Sequence, residues 1–155
     1  MRRVPAPAIV GGMANTYGSA HFHLIFATKN RTPWIVPAWR HRLHAWLAGA
    51  ITRSGAVPVE VGGVGDHVHL LVGLRPSHRL ADLMLDWKRG SSRWVHDDCG
   101  VRGFAWQDGY SYFAVSHADV DAVRAYLKHQ EEHHRRVSFA DEMAALWRAN
   151  GLEWK

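Results

Sequence analysis

The spacing of apolar positions changes along the chain, and each change marks an element. Ser19 to Thr28 reads SAHFHLIFAT, β-rich and partly alternating, which predicts a first strand. Prolines at 33 and 37 make the stretch after Lys29 a loop. From Pro37 to Arg53, Trp39, Leu43, Trp46, Leu47 and Ala50 recur every three or four residues. That period predicts a helix with Pro in its first turn, ended by Ser54-Gly55. The Val-rich Ala56 to Gly62 and the segment HVHLLVGL from His67 to Leu74 predict two strands joined by a Gly-rich turn.

Ser77 to Val95 predicts a second long helix, with Leu80, Leu83, Met84, Trp87 and Trp94 on or near one face and Gly90 weakening its middle. Phe104 to Ser116 is aromatic and β-like, divided into two short pieces at Gly109. Two further helices follow, Ala118 to His134 and Ser138 to Asn150. Ser116 with Asp119, and Ser138 with Asp141, have the spacing of N-terminal capping pairs. The order is strand, helix, strand, strand, helix, strand, then two helices. This predicts an α+β, ferredoxin-like (split βαβ) domain: an antiparallel sheet with helices on one face, plus C-terminal helices.

Bulk composition narrows the setting. A chain of 155 residues suits one domain with a real core, and 47% hydrophobic and 21% charged residues exclude a disordered chain. A net charge of +5 favours a polyanionic partner. The single cysteine, Cys99, excludes an internal disulfide and a thiolate zinc cluster, and a reducing cytoplasm fits. No apolar run reaches the roughly 18 residues of a membrane span. The opening MRRVPAPAIVGG is too short and Pro-broken for a signal peptide. Residues 1–15 are expected to be a flexible leader, with Met13 an alternative start, and 16–155 a single domain.

The most informative segment is Asp66-His67-Val68-His69. Residues two apart on a strand share a face, so His67 and His69 present two imidazoles together. Two imidazoles with an oxygen ligand suit a divalent transition metal, whereas Mg²⁺ prefers oxygen. The same spacing also suits two ordinary strand histidines, and His21 with His23 form a rival pair. On the later helix VRAYLKHQEEHH, Tyr126 and Gln130 are one turn apart. A tyrosine hydroxyl attacks phosphate readily only when a nearby cation eases its ionisation, and the Gln130 carbonyl oxygen is a candidate third ligand. Tyr126 equally suits packing beside Val123 and Leu127. Glu131, Glu132, His133 and His134 are further candidate ligands, although so charged a helix end is usually solvated.

Taken together, FHLIFATKNR, GDHVHLLVGL, DWKRGSSRW, FAWQDGYSYFAVS and VRAYLKHQEEHH resemble the small single-tyrosine transposases of bacterial insertion sequences, within the HUH endonuclease superfamily. The resemblance runs from about Thr16 to Glu153. It implies a divalent metal ion (Mg²⁺ or Mn²⁺) on His67, His69 and Gln130, and Tyr126 as nucleophile. It implies single-stranded DNA carrying hairpins as substrate, a 5′-phosphotyrosine intermediate, and a homodimer in which the tyrosine helix is commonly supplied in trans to the partner's histidines, with the cis arrangement left open. A cytoplasmic, nucleoid-associated location follows from that role.

For DNA contact the expected residues are Lys29, Arg31, Lys88, Arg89, Ser91, Ser92 and Arg93, with Trp34 and Trp106 as candidates to stack on bases, although Trp106 suits the core better and helix cations usually just face water. Two other readings remain. A domesticated protein would bind hairpin DNA without cutting it, against which the intact His67, His69, Tyr126 and Gln130 set argues. A ferredoxin-like RNA-binding module would need the aromatic strand motif of that fold, which the chain lacks.

Overall fold

The computed structural model describes residues 16–153; the leader expected over 1–15 lies outside the described residues. The elements in chain order are β1 (His21–Ala27), α1 (Pro37–Arg53), β2 (Val57–Gly63), β3 (His67–Gly73), α2 (Leu80–Asp98), β4 (Ser111–Val115), α3 (Val120–Lys128), α4 (Gln130–His134) and α5 (Phe139–Ala149). The strands form one antiparallel sheet in the order β2-β3-β1-β4. Two βαβ halves interleave to give this order, so the split βαβ expectation holds.

β1 and β3 occupy the centre and are covered on both sides. Leu24 and Phe26 on β1, with Val68, Leu70 and Val72 on β3, point into the larger core, against Trp39, Leu43 and Leu47 of α1 and Met84 and Trp87 of α2. The alternate positions face the other way. There Ile25 and Phe113 pack with Met143 of α5, and Phe139, Leu146 and Trp147 close over them. The C-terminal helices therefore cover the face that α1 and α2 leave open. His23, His67 and His69 fall on this second face by strand parity, and all three are buried.

Two glycines permit close approach. A Cβ on Gly90 would lie 2.7 Å from Trp46 Cη2, so the residue that weakens α2 is where α1 packs against it. A Cβ on Gly62 would lie 2.1 Å from the Leu127 carbonyl oxygen. The bare backbone of β2 thus lets α3, which carries Tyr126, settle on the sheet.

Two expectations change in detail. Of the aromatic segment, only Ser111–Val115 joins the sheet as a strand. Phe104 and Trp106 instead plug the larger core; Trp106 meets Phe26 at 4.6 Å between ring centroids and is tied to β1 by a single bridge to Thr28. The helix expected from Ala118 to His134 begins as a 3-10 turn over His117–Asp119 and breaks at His129, whose φ of −109° and ψ of 27° interrupt the helical path. Ser116 does not cap it, because its hydroxyl donates to the Asp119 carboxylate at 3.0 Å. Ser138 does cap α5, accepting from the Asp141 N–H at 3.1 Å.

Gly62→Ala is expected to lower stability by about 1–3 kcal/mol, the usual cost of overpacking. Chemical denaturation of the variant, with its midpoint compared to the parent, checks this.

Candidate active site

The second face of the sheet gathers the polar chemistry of the chain. β3 delivers His67 and His69, both fully buried. β1 adds His23, because Ile25 pairs with His69 and the β1 side chains on that face interleave with those of β3. α3 brings Tyr126, α4 brings Gln130 and His134, and α5 brings Glu142. Phe139, in the first turn of α5, lies tilted on the His67 ring at 4.4 Å between centroids and fixes how that helix meets the strand.

Each histidine is oriented from outside. His67 Nδ1–H donates to Asp66 Oδ1 at 2.8 Å. His69 Nδ1 lies 2.8 Å from His23 Nε2, in a stacked pair. His134 Nδ1–H donates to the Val137 carbonyl at 3.0 Å. The three Nε2 atoms therefore turn inward, toward oxygen. Glu142 Oε1 lies 3.5, 3.1 and 3.3 Å from Nε2 of His67, His69 and His134. Gln130 Oε1 is 3.4 Å from His67 Nε2 and 2.9 Å from His134 Nε2.

The electrostatics follow from burial. Burial pushes His69 down to about 4, with the Glu142 hydrogen bond pulling the other way, and His23 down to about 3. Both rings are neutral at pH 7, the form that binds metal. Burial alone would raise Glu142, but hydrogen bonds from His134 and His69 win and hold it well below the usual carboxylate range. For His134, burial lowers and the Glu142 carboxylate raises; the carboxylate prevails. Burial first, and Glu142 second, push the Tyr126 hydroxyl above its ordinary value.

A divalent ion is the group that such a site implies, and the residues fit one. One donor atom from each of His67, His69, His134 and Glu142 lies within 4.8 Å of every other. Imidazole nitrogens with one carboxylate oxygen are a donor set for a borderline transition ion. The outward Nδ1 bonds to carboxylate, carbonyl and ring nitrogen are the supports that metal-binding histidines commonly use.

Tyr126 stands at the edge of this cluster. Its ring meets that of His69 edge-on at 5.7 Å, in the same chain, and its hydroxyl donates to Glu142 Oε2. An open pocket of about 390 Å³ beside it is lined by Ala125, His129, Glu132, His133 and Arg136.

The structure thus brings together Tyr126, His67, His69 and Gln130. Reading the sequence missed Glu142 altogether and set His134 aside as part of a solvated helix end. His134 had a signal, one turn beyond Gln130. Glu142 had none, since nothing in its local pattern distinguishes it from an exposed helix-start acid. Of the rival pair, His23 joins the site as a support for His69, while His21 sits toward the far end of β1, against Gly73 and Val115.

The expected DNA-contact residues divide. Lys29, Arg31, Arg89 and Arg93 are exposed, and Ser92 is half-buried. Lys29 and Arg31 border an open cleft of about 740 Å³ that reaches Phe139, and therefore the edge of the histidine cluster. Asn30 and Arg31 there hold left-handed φ values of 57° and 52°, a costly conformation outside glycine. Two expected contacts are corrected. Ser91 is fully buried, accepting from Trp106 Nε1 at 2.9 Å, and cannot reach a phosphate. The Lys88 ammonium donates to the carbonyls of Gln107 and Gly109 at 2.7 and 2.6 Å, and so pins the loop before β4. Trp106, buried in the core, has no face for a base, and Trp34 is half-buried beside it.

Among the described residues no helix is long and apolar enough to cross a membrane. No curated protein matches the chain. The chain is similar to solved structures, two of which are as follows. One is a protein of Deinococcus radiodurans assigned as a transposase, with 27% identity and a TM-score of 0.62, covering 77% of this chain and 96% of that one. The other is a REP-associated tyrosine transposase bound to a REP hairpin, with 14% identity and a TM-score of 0.60, covering 94% and 91%; at that identity the likeness is one of fold. The sequence model described as "Transposase IS200 like" matches residues 16–130, and on that match the chain belongs to the IS200-like transposase family.

Proposed function

We propose that this transposase nicks and rejoins single-stranded DNA at hairpin-marked ends, with Tyr126 as nucleophile and a divalent ion held by His67, His69 and Gln130. One observation carries the reading: a single buried carboxylate, Glu142, bonds the Tyr126 hydroxyl through Oε2 and faces the inward histidine nitrogens through Oε1. Nucleophile and ligand cluster are therefore one assembly.

The chemistry divides among the side chains as follows. Tyr126 Oη attacks the scissile phosphorus, a Tyr–O–P bond forms, and the bond from phosphorus to the 3′ oxygen breaks. The departing 3′ oxygen takes up a proton from solvent, in balance with the one Tyr126 gives up, and the products are a 5′-phosphotyrosine and a free 3′-OH. Glu142 Oε2 is the atom placed to take the hydroxyl proton. In the chain by itself that transfer runs uphill, because Tyr126 is raised and Glu142 is lowered. A bound divalent ion supplies Lewis-acid polarisation of a phosphate oxygen and positive charge that lowers the cost of ionising the tyrosine. The reverse attack by a 3′-OH on the phosphotyrosine rejoins strands without ATP, since the phosphodiester energy is kept in the covalent link.

Lys29 and Arg31 are proposed to hold the DNA backbone in the cleft beside Phe139, and Arg89, Ser92 and Arg93 to meet it on α2. A homodimer is proposed from the family resemblance.

Three outcomes are expected. Tyr126→Phe forms no covalent adduct with labelled hairpin-bearing single-stranded DNA in Mn²⁺ or Mg²⁺, read on a denaturing gel; an adduct in this variant would sink the nucleophile assignment. Chelation with EDTA abolishes adduct formation by the parent chain, and added Mn²⁺ restores it. Replacing Lys29 and Arg31 together by Ala flattens the slope of log affinity against log salt by roughly 0.7 per lost phosphate contact, measured by fluorescence anisotropy.

A further inference from the structure

We infer that His134 and Glu142 are themselves metal ligands, so that the centre is three imidazole nitrogens and one carboxylate oxygen, built by a single chain. The inference rests on the reading of His67 and His69 as ligands. It extends that reading to two residues that lie beyond residue 130, where the family match ends.

Glu142 makes the case. Its side chain is only 1% exposed. A carboxylate so far from water is costly unless positive charge or several donors meet it. The partners on offer at Oε1 are three imidazole Nε2 atoms at 3.1–3.5 Å, all converging on one point. Imidazoles whose outer nitrogens already have partners, and whose inner nitrogens face one shared anion, leave a place at the middle for a cation. A hydrogen-bonded knot would not need all three rings to aim alike.

His134 is prepared in the same way as the two strand histidines. Its Nδ1–H is spent on the Val137 carbonyl, in the turn that leads into α5. That turn ends at the Ser138 cap, and Phe139 then rests on His67. The chain therefore passes from one proposed ligand to the next through a segment fixed at three points. Gln130 Oε1, a neutral amide oxygen, sits next to the same nitrogens as a weaker, fifth donor.

Two consequences follow from the donor set. Three imidazoles and a carboxylate favour Mn²⁺, Co²⁺ or Zn²⁺ over Mg²⁺, which prefers oxygen. Glu142 also joins the two halves of the site, because its second oxygen accepts from the Tyr126 hydroxyl and lies 3.0 Å from His133 Nε2.

The test uses the full chain without DNA. Co²⁺ binding is followed by calorimetry and by visible absorption for the parent, His67→Ala, His134→Gln and Glu142→Gln, with folding checked by circular dichroism. X-ray absorption on the Zn²⁺-loaded parent counts imidazole ligands. One Co²⁺ per chain, a loss of at least tenfold in affinity in both His134→Gln and Glu142→Gln, and three imidazoles on zinc are expected. Two imidazoles on zinc, or parent-like Co²⁺ affinity in folded His134→Gln and Glu142→Gln while His67→Ala loses it, overturns this inference and leaves the proposed function standing. No Co²⁺ binding by the parent, or unchanged binding by His67→Ala, removes the metal reading and this inference with it. Should a variant fail to fold, the imidazole count on the parent decides.

Discussion

The antiparallel pairing of β1 with β3 is the constraint on which the molecule depends. Both strands are paired along both edges and covered on both faces, so the side chains from His23 to Ala27 and from His67 to Val72 must find a place in protein. One parity is apolar and fills the core beneath α1 and α2. The other carries His23, His67 and His69. Buried imidazoles need partners, and a sheet cannot supply them from its own backbone, which is spent on the ladder. The second face must therefore be roofed by elements that bring polar groups with them. α3, α4 and α5 do so.

The roof brings a buried anion rather than a neutral acceptor. Glu142 in low dielectric would destabilise the fold if it stood alone, and removing one partner of such a cluster costs more than the cluster contributes. Its position is sustained by the histidines that need it. α5 docks through Met143, with Phe139, Leu146 and Trp147 packed around it, and that apolar contact carries Glu142 into the cluster. The cap at Ser138 and the Phe139 contact on His67 then set the helix so that Glu142 arrives between strand and tyrosine.

Tyr126 is held by the same logic. Gly62 lets α3 approach β2 closely, and that approach brings Tyr126 to the rim of the histidine cluster. The break at His129 ends the close-packed helix just before Gln130, so α4 is free to turn Gln130 and His134 inward together. On the opposite side, the cleft at Lys29 and Arg31 begins where Phe139 ends, which places exposed cations next to the buried histidine cluster.

The sequence by itself determined the architecture and half of the site. Periodicity located every strand and both long helices, because strand and helix periods are local and the two cores impose them strongly. Strand parity put His67 and His69 together, and helix spacing joined Tyr126 to Gln130. Where local pattern misled, tertiary packing had overruled it. Phe104 and Trp106 alternate like a strand but serve as plugs, and Lys88 and Ser91 read as surface phosphate contacts but are consumed by the loop before β4 and by Trp106. Only the tertiary structure decided that His134 and Glu142 stand beside His67 and His69, and that His23 supports His69. The physical reason is that a ligand set converges in space from β3, α4 and α5, and a residue's sequence neighbours carry no record of what its side chain meets across the fold.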